Sequence, residues 1–141
     1  MERKPSIGVT IGVTIVGWFE IITGTYITYM IMDSLVWLLH NKRGGDVHGF
    51  IINILLLPLF ISLITGGILV LKRKRVGRVI SLIALYLYLL LVLIAGILPA
   101  TILLISGGAD ILIFLIVILF AIGISCSIYF LRLPNVKKQF K

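Results

Sequence analysis

With one exception, charged residues vanish from this chain for about twenty positions at a time, the length of an α-helix that crosses a bilayer. Four apolar blocks result: Ile7–Met32, Phe50–Leu71, Val79–Pro99 and Ile111–Leu131. None alternates apolar with polar residues as the strands of a closed barrel do. Of the two structures that satisfy every backbone group in lipid, helices are therefore predicted. The pattern predicts an all-α fold, one membrane domain spanning residues 1–141, built as an integral-membrane bundle of four transmembrane helices. A basic tail, 132–141, follows the last span.

Two block ends are soft. The stretch "SLVWLL" after Asp33 either prolongs the first span or lies flat at an interface. Beyond Pro99, "ATILLIS" continues the third span after a kink, because proline removes one backbone bond and crowds the preceding turn. Pro58 is expected to bend the second span in the same way.

Composition strengthens the membrane reading. Hydrophobic residues make up 60% of the chain and charged ones 13%, with a mean hydropathy of +1.22, too little polar surface to face water. The opening "MERKPS" has the charge of a signal peptide, but the apolar run behind it is too long and "GTYITYM" offers no small-x-small cleavage site. It is read as a retained first span. The lone Cys126 excludes an intrachain disulfide and is expected to be a small packing residue.

Charge then sets direction. Arg3 and Lys4, the second loop with Lys72, Arg73, Lys74, Arg75 and Arg78, and the tail with Arg132, Lys137, Lys138 and Lys141 fall on one side. Only Lys42 and Arg43 fall on the other. Basic residues flank spans on the cytoplasmic side, so both termini are expected in the cytoplasm. The loop set, Lys72, Arg73, Lys74, Arg75 and Arg78, reads as a contact for anionic lipid headgroups. No nucleic-acid partner is expected, since the membrane surface is the nearest anion.

The exception is Glu20, inside "GWFEIITG" near the midpoint of the first block. At about 100° per residue, Gly17, Glu20, Gly24 and Thr28 form one stripe, and Gly8 and Gly12 a small-xxx-small pair on another face. In the fourth span Ala121/Ser125 and Gly123/Ser127 repeat that spacing. Small residues let helix backbones approach closely in lipid, so all eight are candidate helix-packing positions. A carboxyl on such a face is expected to be neutral, hydrogen-bonded or turned to a wet cavity, because a bare buried charge is costly. Glu20 is thus either a proton or cation site, or a contact between helices with Thr, Ser or Tyr hydroxyls as partners.

Other chemistry is sparse. Asp33, His40, Asp46 and His48 gather zinc-ligand types around the outer loop, but their spacing matches no metal motif and "NKRGGDVHG" reads as a solvated turn. No metal and no cofactor are expected. Tyr86, Tyr88 and Trp18 are read as packing residues. In "LPNVKKQFK", Pro134 suits a first helical turn, and Val136 and Phe140 share a face suited to a short interfacial anchor. Phosphate loops, nucleophile elbows and zinc-protease motifs are missing, and no enzyme is predicted.

Two resemblances bear on function. With "IGVTIVGWFEIITGTY", the basic loop "LKRKRVGRVISLIA" and the closing "YFLRLPNVKKQF", the chain resembles small four-span membrane proteins of prokaryotes that have no established activity. That likeness implies an inner-membrane address. Glu20 in the first span also resembles the essential glutamate of the small multidrug resistance transporters, which would imply proton-coupled export of small cations. The sequence departs from them in its longer outer loop, in the lack of a tryptophan in the third span and in the Leu-rich "IALYLYLLLVLIAG". The expectation is a non-catalytic membrane component, a homo-oligomer or a subunit of a larger membrane complex, with the cation exporter as the alternative.

Overall fold

The computed structural model describes residues 7–40, 47–97, 101 and 111–140. Nearly all of these are helical, without strands among the described residues. Helix α1 runs Ile7–His40, α2 Val47–Leu71, α3 Arg75–Leu91, α4 Ile111–Arg132, and a last turn, α5, Pro134–Lys137. Four helical stretches are long and apolar enough to cross a membrane: Ile7–His40, Phe50–Leu71, Arg75–Ile97 and Phe114–Arg132.

Helix α1 is longer than the first apolar block. No glycine or proline stands between Gly24 and His40 to stop it, so "SLVWLL" prolongs the helix. The extension is tied to α2 by Asn53 Nδ2 donating to Ser34 Oγ at 3.0 Å. Helix α2 passes through Pro58. Helix α3 starts at Arg75, four residues before the apolar block, and takes Arg75 and Arg78 into its first turns. After Leu91 it widens into a π-helical turn, Val92–Ile97. Pro99, and all of "ATILLIS" but Thr101, lie outside the described residues, and with them the kink expected there.

The helices pack in chain order, α1 on α2, α2 on α3 and α3 on α4, and α1 returns to touch α4. Each pair is antiparallel. Gly17 faces Gly67 while Gly24 faces Ile64; Gly66 faces Ser81 while Phe60 meets Tyr88; Gly12 faces Phe130 while Phe19 meets Gly123. The start of α1, the α2–α3 turn and the end of α4 therefore share one end of the bundle. Lys72, Arg73, Lys74, Arg75, Arg78, Arg132, Lys137 and Lys138 all gather there. Glu20 and Asp33, the acids among the described residues, lie elsewhere.

The turn joining α2 to α3 is only three residues long and contains no glycine. Arg73 N–H donates to Val70 O at 2.9 Å and Lys74 N–H to Leu69 O at 3.0 Å, with Arg73 at φ 55°. That pair of bonds is the Schellman closure of a helix C-terminus, whose left-handed position is usually glycine. The glycine needed here stands elsewhere: a Cβ on Gly77 would meet the Leu69 carbonyl carbon at 2.6 Å.

Large apolar side chains point outward along all four long helices, among them Ile22, Leu55, Ile83 and Leu119. The core between the helices is built from Val13, Val16, Phe60, Leu63, Val70, Leu85 and Ile124, with Leu131, Val136 and Phe140 at the basic end. Val136 and Phe140, at 0% and 3% exposure, share a face as their spacing predicts. That face is covered by protein, so the tail docks on its own bundle in place of the expected interfacial anchor.

Candidate functional site

Glu20 lies where α1, α2 and α3 converge, and both it and Ser81 are 0% exposed. Ser81 Oγ donates to Glu20 Oε2 at 2.6 Å. Close approach of the three backbones makes the contact possible. A Cβ on Gly67 would stand 2.7 Å from Gly17 O and 3.0 Å from Glu20 Cβ, and one on Gly66 would stand 2.7 Å from Ser81 Oγ. One turn further along α1, a Cβ on Gly24 would meet Phe60 O at 3.0 Å. Glycine at these positions lets α2 pass directly over the carboxyl.

The carboxyl is satisfied on one side only. Oε1 is buried and has no hydrogen-bond partner among the described residues. Ser81 is six residues into α3, about 9 Å along the axis at about 1.5 Å per residue. Glu20 pairs with it from a position 13 residues after the start of α1 and 20 before its end.

The small residues divide into two groups. Gly17 and Gly24 press on α2, and Gly12 lies against the Phe130 ring of α4. A Cβ on Gly123 would stand 3.6 Å from the Phe19 ring, and the buried Ser127 donates its hydroxyl to Gly123 O at 2.9 Å. Gly8 has nothing within 4 Å of where a Cβ would stand. Ser125 is exposed and its hydroxyl turns back to Ala121 O at 2.8 Å. Ala121 and Ser125 thus lie toward the outside of the bundle.

Among the basic residues, Lys72, Lys74 and Arg75 are exposed and Arg73 is half-buried. Arg78 is used internally, its Nε donating to Leu131 O at 2.8 Å, which binds the start of α3 to the end of α4. Arg132 Nη1 reaches the Tyr86 hydroxyl at 3.0 Å across the same pair of helices.

His40 Nδ1 lies 3.3 Å from Val36 O, one turn back on its own helix. Asp46 and the side chain of His48 lie outside the described residues, and no group of three metal-ligand types occurs among the described ones. Tyr88 packs edge-on against Phe60, ring centroids 5.4 Å apart. Trp18, by contrast, is 54% exposed and Cys126 is exposed, so neither packs in the core as their apolar surroundings in sequence suggested.

Sequence reasoning found Glu20 and its glycines on α1 but missed Ser81, Gly66 and Gly67. The adjacent glycines in "LITGGILV" were the available signal, since two in an apolar helix mark a close backbone approach. Comparison of the chain with protein-family models, with curated proteins and with solved structures returns no match.

Proposed function

We propose that this chain is a multi-pass protein of a prokaryotic inner membrane, with both termini cytoplasmic. It acts without catalysis as an accessory or self-associating component of a membrane assembly. The outward apolar surface supports the membrane setting, since water would penalise so many exposed Ile and Leu side chains. Gathering of the basic residues at the end shared by α1's start and α4's finish supports the orientation.

The observation that carries the non-catalytic reading is the enclosure of Glu20. Ser81 and Glu20 pair a hydroxyl with a carboxyl, the raw material of nucleophilic chemistry, yet both are fully buried and no substrate atom can reach them. The pair works as a polar clasp that fixes three helices in register. Its glycines are spent inside the chain. Self-association or docking on a partner therefore draws on the outer faces, where Gly8 and Ser125 stand.

One observation favours the alternative, a proton-coupled exporter of small cations. The unpartnered Oε1 of Glu20 is a free acceptor for a proton or cation. Proton release from purified protein on addition of lipophilic cations separates the two readings. The clasp predicts no release from either the parent or Glu20→Gln across a broad cation panel. Release that disappears in Glu20→Gln would replace the clasp with a transport site.

A further inference from the structure

Away from the basic end, beyond the contact of Phe19 with Gly123, helices α1 and α4 part. The gap is a cavity of about 480 Å³ with α3 as its third wall. That volume lies within the about 300–1,000 Å³ typical of small-molecule sites.

The wall on α3 is the π-helical turn, which contributes Val92, Ala95 and Gly96. Single π turns in otherwise regular helices recur at functional sites, because they widen the helix and re-aim its side chains. At the edge of this wall Gly96 lets α3 approach α4 closely, since a Cβ there would stand 3.1 Å from Val117 Cγ1. Ile22 and Tyr26 at the mouth are largely exposed, so the opening faces the outer apolar surface of the bundle.

The described lining has no charged side chain. Its polar side-chain groups are the hydroxyls of Thr23, Tyr26 and Tyr88, and none makes a hydrogen bond among the described residues. Glu20 is not part of the lining. A charged ligand would be buried without a partner, at a cost of several kcal/mol or more. Unpaired hydroxyl donors in apolar surroundings, however, gain from any acceptor that reaches them.

We propose that this cavity binds one neutral lipophilic molecule, a hydrocarbon body carrying a single hydrogen-bond acceptor such as an ester or ketone carbonyl. The molecule enters sideways from the bilayer, so the inference rests on the membrane reading above. Its hydrocarbon body fills the space between the π turn and Phe120, and its carbonyl accepts from the Tyr88 or Thr23 hydroxyl.

Photolabelling of the full chain in phosphatidylcholine vesicles tests this with two diazirine probes of equal length, a methyl palmitate ester and an alkane. Peptides carrying Tyr26 and Phe120 should be labelled in preference to the outward Leu55 peptide, and excess unlabelled methyl palmitate should suppress that labelling. Ester should exceed alkane at these peptides by about tenfold, the factor equivalent to about 1.4 kcal/mol. Combining Tyr88→Phe with Thr23→Val should bring ester labelling down to the alkane level, and Gly96→Phe should reduce both.

Even labelling of all outward faces, unaffected by competitor, would mean ordinary boundary lipid and would overturn the proposal. An ester preference that survives Tyr88→Phe with Thr23→Val would remove the hydroxyls from it. Should Gly96→Phe fail to fold, competition on the parent protein decides alone. Failure of the membrane reading shows separately, as loss of the protein from vesicles on washing with alkaline carbonate before irradiation.

Discussion

If Glu20 is a clasp between helices, as proposed, its side chain matters for its shape and its acceptor more than for its charge. Glutamine keeps an oxygen for Ser81 and the same length, so Glu20→Gln should leave the thermal unfolding midpoint in detergent nearly unchanged. Glu20→Leu removes the acceptor and leaves Ser81 Oγ to turn back on its own helix. That variant should lose about 0.5–2 kcal/mol, the scale of polar contacts between membrane helices. A glutamine variant as unstable as the leucine one would contradict a clasp that needs only an acceptor. The acid itself was visible in the sequence because it interrupts an apolar block. Its partner was not: Ser81 is 61 positions away, and only the antiparallel packing of three helices brings the two together.

Between helices, backbone contact is the controlling quantity. A methyl group on Gly67 would stand 2.7 Å from the carbonyl oxygen of Gly17, and backbone cannot rotate out of the way. Gly67→Ala should therefore push α1 and α2 apart and destabilise the fold by about 1–3 kcal/mol. At Gly8 the space is open, and alanine should be neutral or stabilise by about 0.5–1 kcal/mol through helix propensity. Equal effects at both positions in chemical or thermal unfolding would refute this division. The number and centres of the long apolar helices were legible in block lengths; of the stripe Gly17, Glu20, Gly24 and Thr28 drawn from the period of 3.6, Gly17 and Gly24 lie against α2. Helix ends were less legible. Arg75 and Arg78 read as loop because they are charged, yet α3 takes both into its first turns. The tight turn hides its left-handed residue, because Arg73 stands where a glycine would have announced it.

For the whole molecule, the charge pattern foretold an arrangement that the packing reproduces: every basic residue of the described tail and second loop lies at one end. If that end faces the cytoplasm, alkaline phosphatase fused after Gly45 should be active, and fused after Arg75 or Lys141 inactive. The opposite activities would invert the orientation. The cavity had no counterpart in the sequence reading. It arises from the parting of two helices and a π turn, and neither leaves a mark in periodicity.

The 61 positions that separate Ser81 from Glu20 are also an interval of time. Chains grow from the N-terminus at about 5–20 residues per second, so Ser81 is added about 3–12 s after Glu20. Helix α2 is complete ten positions before Ser81 is added, so α1 and α2 can begin to pair through Gly17, Gly24 and Gly67 ahead of α3, with the carboxyl still lacking its serine. The clasp closes only when α3 arrives, which makes it a lock on the finished assembly and leaves the glycine contacts to hold the early hairpin together.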